Sequence, residues 1–179
     1  MADLAERMFT REAPNRLWVN DITEHRTYEG RVYCAVVLET FSRRVVGWSI
    51  DSHQTAALVT DALSMAITNR DPQAGIVVHS DGGVQFTSWS FTDRAKRSGV
   101  VASMGSIGDY YDNAMIESFW GRMQTELMNR KRWKTRIELA NAIFHHLKIF
   151  HNRQRRHSAL GMRTPIDFEL LHQSAQPVT

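Results

Sequence analysis

Val32-Tyr33-Cys34-Ala35-Val36-Val37-Leu38 is apolar along both of its alternating sides, the pattern of a strand buried on both faces in the middle of a sheet. The β-rich stretch around it covers residues 31–40, and two more sit beside it in sequence, at 17–23 and 43–50. The links between the three are short, which makes them antiparallel neighbours. Downstream the period changes. Ala56, Val59, Ala62, Leu63, Ala66 and Ile67 repeat at helical spacing and predict a helix over 55–69. Ile76-Val77-Val78-His79 then reads as a strand, Ser88–Ser98 as a helix stopped by Gly99, and Val100-Val101-Ala102-Ser103-Met104 as a last strand. Residues 113–129 carry Ile116, Phe119, Trp120, Met123 and Leu127 on one helical stripe, and a further helix spans 135–151.

Three hairpin-linked strands followed by helix, strand, helix, strand and helix describe an α/β chain of the ribonuclease-H-like kind, with a five-stranded mixed sheet flanked by helices. Strands four and five then lie parallel to strand one, which brings Asp21 and Asp81 side by side at adjacent strand ends. Residues 1–13 read as a polar lead-in or short helix before Pro14, residues 14–171 as one core domain and residues 172–179 as a tail.

The 179 residues suffice for one domain with a sizeable core. A hydrophobic content of 42% and a charged content of 23% are ordinary for a soluble globular protein. No apolar stretch approaches the roughly 18–20 residues of a membrane span. Met1–Arg7 lacks the basic start and apolar middle of a signal peptide. Cys34 is the one cysteine, so no internal disulfide forms and a reducing cytoplasm is the expected compartment. The net charge of +3 is unevenly placed: residues 1–90 hold 8 Lys and Arg against 11 Asp and Glu, residues 91–179 hold 14 against 8. A basic second half fits a polyanion partner, and equally a solvated helical surface. Arg far outnumbers Lys, which favours forked phosphate contacts.

Three carboxylates carry the chemistry. Asp21 closes the apolar run Leu17-Trp18-Val19-Asn20-Asp21, and Asp81 closes Ile76-Val77-Val78-His79-Ser80-Asp81 just ahead of Gly82-Gly83. Glu117 follows the turn-rich Gly108-Asp109-Tyr110-Tyr111-Asp112-Asn113 near an expected helix start, with 35 residues between it and Asp81. Hard oxygen ligands of this kind suit Mg²⁺ or Mn²⁺. Two such ions roughly 3.5–4 Å apart clamp the attacking and leaving oxygens of a phosphoryl transfer. Each acid alone has a simpler account: Asp21 as a strand-end turn residue, Asp81 as half of an Asp-Gly turn, Glu117 as a helix-start acid favoured by the helix dipole.

Five ordered segments decide between these accounts: Trp18-Val19-Asn20-Asp21-Ile22-Thr23, Phe41-Ser42-Arg43-Arg44-Val45-Val46-Gly47-Trp48, His79-Ser80-Asp81-Gly82-Gly83-Val84-Gln85-Phe86, Tyr111-Asp112-Asn113-Ala114-Met115-Ile116-Glu117-Ser118-Phe119 and Asn152-Arg153-Gln154-Arg155-Arg156-His157-Ser158-Ala159-Leu160-Gly161. Together, from about Ala13 to about Leu171, they resemble the catalytic core of bacterial insertion-sequence transposases. More narrowly the chain is similar to the OrfB transposases of the IS-three family, relatives of retroviral integrases. The resemblance implies the ribonuclease-H-like fold and a DDE triad of Asp21, Asp81 and Glu117, with two Mg²⁺ or Mn²⁺ ions in the active complex. It further implies a polynucleotidyl transferase that cuts DNA at the element's ends and joins them to a target during transposition. Its partners would be those DNAs and further copies of itself, at least a dimer in the active complex. It would be cytoplasmic and nucleoid-associated, with no membrane partner.

Other positions carry weaker expectations. Gln124 stands seven residues after Glu117, where relatives carry a phosphate-holding Lys; Gln donates a hydrogen bond but no charge. Glu39 stands where relatives commonly have Asp, and either acid can simply finish the strand. Asn113, with Asp112, is expected to cap the Glu117 helix. Gly121, one turn after Glu117, costs a helix roughly 1 kcal/mol relative to Ala; a close approach of DNA or another strand would explain it, and so would simple tolerance of a modest penalty. His79 and Trp120 read as packing groups. His145, His146, His151 and His157 lack the spacing of a zinc site. The basic runs Arg130, Lys131, Arg132, Lys134, Arg136 and Arg153, Arg155, Arg156 can each serve surface solubility alone, but two such clusters downstream of three acids fit a DNA track, and DNA-contact candidates are Gln124, Arg130, Lys131, Arg132, Arg153, Arg155 and Arg156. Relatives begin with a helix-turn-helix region that recognises terminal repeats; this chain starts at or near the core, as an excised domain or a truncated frame would. Two other functions fit the same fold: a structure-selective nuclease such as a ribonuclease H or junction resolvase, and an inactive remnant that only binds DNA or its own kind.

Overall fold

The computed structural model describes residues 12–104 and 110–176, the side chains of 110–112 excepted. Of the lead-in expected over residues 1–13, all but 12–13 lie outside the described residues, as do residues 108–109 of the turn-rich stretch. In chain order come β1 (Leu17–Thr27), β2 (Gly30–Glu39), β3 (Val45–Asp51), α1 (Ala56–Arg70), β4 (Val77–Ser80), α2 (Trp89–Arg97), β5 (Val101–Met104), α3 (Tyr110–Glu126), α4 (Arg136–His145) and α5 (Pro165–Ala175).

The strands form one sheet in the order β3-β2-β1-β4-β5. β1 and β2 pair antiparallel, as do β2 and β3, while β4 lies parallel to both β1 and β5. The double-sided apolar pattern of β2 has its cause here. Ala35 and Val37 enter one core with Trp18, Leu58, Leu63, Phe86 and Phe91; Cys34, Val36 and Leu38 enter the other with Phe119, Met123, Leu139 and Leu147. β2 is thus sandwiched between α1 and α2 on one side and α3 and α4 on the other. Gly47 lets α1 lie directly on β3: a Cβ there would collide with the Ala62 carbonyl and come within 2.7 Å of the Ala66 nitrogen. No helix among the described residues is long and apolar enough to cross a membrane.

Three boundaries differ from expectation. α3 begins at Tyr110 rather than 113 and ends at Glu126. The helix expected through 151 stops as α-helix at His145 and continues as π-helix over His146–Gln154, closed by the Arg155 N–H donating to the Phe150 carbonyl at 2.7 Å. The wider turn brings His146, Leu147, His151 and Asn152 all inward, which an α-helical repeat cannot do. Finally, α5 is a helix that the periodicity did not announce. Its signal is local instead: Thr164 caps it by accepting from the Asp167 N–H, and Pro165 opens its first turn.

Candidate active site

β1 and β4 run parallel with Val19 opposite His79, so two residues further on Asp21 and Asp81 stand at matched positions. β4 ends at Ser80 and the chain turns away through Gly82 at φ +83°, leaving Asp81 exposed with one carboxylate oxygen accepting from the Gly83 N–H at 3.2 Å. α3 crosses this end of the sheet. Asn113 and, one turn later, Glu117 line the same cleft of about 150 Å³ as Asn20, Asp21, His79 and Asp81. Three acids from β1, the β4 end and α3 therefore share one recess.

Asp21 is the anchored member. Its Oδ2 accepts from the Trp120 indole N–H at 3.0 Å, a bond from α3 to β1. Burial pushes its carboxyl above the ordinary range; the Ile22 N–H and Trp120 oppose this, while the charges of Asp81 and Glu117 add to it. Trp120 packs edge-on against Phe119, ring centroids 5.0 Å apart, but it is more than the packing group its sequence suggested. Asn20, beside Asp21, is buried with neither its amide oxygen nor its amide nitrogen hydrogen-bonded. No sequence signal marks it.

Two expectations about α3 change. Because the helix starts at Tyr110, Glu117 lies about two turns inside it, beyond the first turn where the dipole acts. Asn113 is likewise inside the helix and faces the cleft instead of capping. Gly121 is exposed, and a Cβ there would meet no atom within 4 Å, so no strand of this chain presses on it. Gln124 is exposed as well.

Among the described residues, no three His, Cys, Asp or Glu side chains stand close enough together to hold an ion as they are. The donor set around the cleft nonetheless fits a hard divalent ion: carboxylate oxygens, no thiolate, and a recess roomy enough for retained water.

The cationic residues divide. Arg130, Arg132, Arg153 and Arg156 are exposed. Lys131 pairs with Glu138 at 2.6 Å and lies over the Trp133 ring. Arg155 turns inward, its Nε and Nη2 both donating to Glu126 Oε1 at 2.8 and 2.6 Å. Its neighbours in the same motif are also held. Asn152 pairs with both peptide groups of Val45, and His151 Nε2 lies 2.7 Å from the Arg43 carbonyl. Glu39, far from ending a strand idly, is fully buried and accepts from the Trp18 indole and the Asn15 N–H, with Arg70 3.5 Å away.

His146, His151 and His157, all buried, line one small cavity with Glu126 and Arg122. Burial, first of all, pushes His151 down to about 3 and His157 down to about 4. A histidine whose native value lies below the usual 6.5 refuses a proton that the unfolded chain accepts, so stability falls as pH drops through 6.5 and continues to fall toward the native value. Between pH 7 and pH 5 His151 alone is expected to cost about 2 kcal/mol. Urea unfolding at both pH values checks this: in His151→Gln the pH difference should shrink by that amount, and an unchanged difference would refute the assignment.

Two family profiles, both described as Integrase core domain, match residues 11–109 and 98–165, the first covering more than half of the chain. The transposase for insertion sequence element IS904 of Lactococcus lactis is 39% identical over 167 residues, 93% of this chain and 66% of its own length. Transposase InsF for insertion sequence IS3A of Escherichia coli is 38% identical over 93% of this chain and 58% of its own length. The chain thus spans somewhat less than two thirds of these relatives. Among solved structures, the HTLV-2 integrase catalytic core domain in complex with magnesium superposes with a TM-score of 0.63 at 19% identity, covering 87% of this chain and 97% of that one. That likeness establishes the fold, the ribonuclease-H-like arrangement of retroviral integrase cores. The sheet order, the profiles and the insertion-sequence relatives agree, and the chain belongs to the integrase core domain family.

Proposed function

We propose that this chain is the catalytic core of a DDE transposase, a polynucleotidyl transferase that cuts DNA at an insertion element's ends and joins them to a target. The observation that supports this best is the meeting of Asp21, Asp81 and Glu117 in one cleft from three elements distant in sequence. These three would hold Mg²⁺ or Mn²⁺, which when bound activates the attacking oxygen and eases departure of the 3′ oxygen.

The protein's own groups set the stage. Trp120 holds the Asp21 carboxylate against rotation and ties α3 to β1, so Glu117 and Asp21 keep their relative positions. Bare Gly121 lets a sugar-phosphate backbone approach α3, and Gln124 two helical turns past Glu117 offers it an amide N–H. Exposed Arg130, Arg132, Arg153 and Arg156 take phosphates without reading bases. Arg155 serves instead as a strut to Glu126. Water as nucleophile gives a nick and a terminal DNA 3′-hydroxyl gives a joined strand; a joined product separates transposition from simple nuclease action. Joining two ends calls for at least two copies.

Calorimetric titration of Mn²⁺ tests the assignment. The wild-type protein should bind, and Asp81→Asn, which keeps the shape of an exposed side chain but loses its charge, should bind at least about tenfold more weakly. Equal binding by both would remove Asp81 from the site.

A further inference from the structure

A second polar recess lies on the far edge of the sheet. Arg44 on the β2–β3 turn, Arg70 at the end of α1, and Lys148 and Arg153 on the π-helix line a cleft of about 190 Å³, with Asn69 and Asn152 completing its polar wall and no carboxylate facing it. Two of the four cations are neutralised from behind: Arg44 and Arg70 both pair with Glu169, at 2.9 and 2.8 Å, and Arg70 also with Glu39. Lys148 and Arg153 have no acidic partner within ion-pair distance among the described residues; Lys148 rests over the Phe144 ring instead, 5.4 Å from its centroid. The cleft thus faces solvent with about two uncompensated positive charges.

Its frame is fixed by hydrogen bonds. Asn152 accepts from the Val45 N–H and donates to the Val45 carbonyl, both at 2.9 Å, closing the open edge of β3 with a side chain. Asn69 donates to the Val46 carbonyl at 3.0 Å from the other side. Arg153, next to the clamped Asn152, and Lys148, about one turn before it, are held to one side of the recess.

We propose that this cleft is a phosphate-binding site, separate from the carboxylate cleft, whose ligand is a DNA backbone phosphate or a small phosphate. No carboxylate lines it, forked guanidinium groups match a phosphate's oxygens, and lysine adds a compact charge. The sheet register separates it from the acids. Asp21 pairs with Val36 on β2, which pairs with Trp48 on β3, so Asp21 and the β3 edge that lines this cleft stand two strands, roughly 10 Å, apart across the sheet, and the two recesses share no lining residue. One phosphate cannot occupy both. DNA held here would be a different strand or turn from the one under attack; that form of the proposal rests on the transposase reading above.

The test has two arms, each comparing wild type with Lys148→Ala/Arg153→Ala. In the first, inorganic phosphate is titrated while nuclear magnetic resonance follows the Trp48 indole N–H and the Asn69 side-chain amide, both at the cleft. Shifts in wild type that vanish in the double variant are expected. In the second, affinity for a duplex of arbitrary sequence is measured from 50 to 200 mM salt. With two phosphate contacts gone, the double variant should lose about tenfold less affinity over that range than wild type. Lys148→Arg/Arg153→Lys should restore both behaviours, and equal thermal midpoints guard against misfolding. Phosphate shifts without a change in salt dependence would identify a small phosphate as the ligand, and a change in salt dependence identifies DNA. Neither effect, in folded protein, overturns the proposal. A wild type that nicks DNA while both arms fail would leave the transposase reading standing; both arms succeeding without any metal-dependent nicking would do the reverse.

Discussion

Glu117→Gln is expected to lose DNA cleavage and joining by at least about a thousandfold while unfolding at the wild-type temperature. Glu117 is exposed on the cleft side of α3, so an isosteric amide removes a charge and little packing. The loss should come from the reaction itself and not from DNA affinity, because a carboxylate repels phosphates and does not hold them. If anything, removing a negative charge from the recess should tighten DNA binding slightly. The measurement is single-turnover cleavage of a labelled duplex in Mn²⁺ alongside anisotropy and a thermal melt. A folded Glu117→Gln protein that still joins strands would refute the triad. Trp120→Phe supplies a milder companion, since it keeps the ring and deletes only the N–H that holds Asp21.

Arg70→Ala is expected to cost about 3–5 kcal/mol of folding free energy, the largest stability effect anticipated for a single charged residue here. The Arg70 guanidinium bridges Glu169 Oε2 and Oε1 at 2.8 and 3.0 Å, Asn15 Oδ1 at 2.8 Å and Glu39 Oε2 at 3.5 Å. Burial pushes the Glu169 carboxyl up, but Arg70, Ser42 and Arg44 together pull it below its ordinary range; at Glu39 burial prevails and the carboxyl rises. Removing Arg70 leaves two buried acids without their main counter-charge and deletes the ion pairs that tie α1 to α5 and to β2, while Ser42 and Arg44 still hold Glu169. Arg44→Ala, whose side chain is partly solvated, should cost about 1 kcal/mol or less. Urea denaturation of both variants checks the pair, and comparable small losses would mean that the network contributes little.

Much of this molecule is written in its local pattern. Strand and helix order follow from the spacing of apolar residues, which solvent imposes on each segment separately: β2 reads as central because every one of its side chains meets a core. That Asp21 and Asp81 meet was legible too, because both end apolar runs and parallel strands bring such ends together; the role of the candidate triad, Glu117 included, follows only from the resemblance of five ordered segments to insertion-sequence transposases. What one residue of the chain touches another 29 or 99 positions away has no such local trace. Arg155 looked as solvated as Arg153 and Arg156 until the fold set it against Glu126, and Arg70 and Glu169 gave no sign of each other. The π-helical turns that aim His151 and Asn152 inward, the indole that holds Asp21 and the gathering of Lys148 with Arg153 likewise depend on which surfaces meet. Apolar burial is nearly non-directional and so survives in sequence periodicity, whereas a hydrogen bond or ion pair exists only where tertiary packing brings donor and acceptor within about 3 Å.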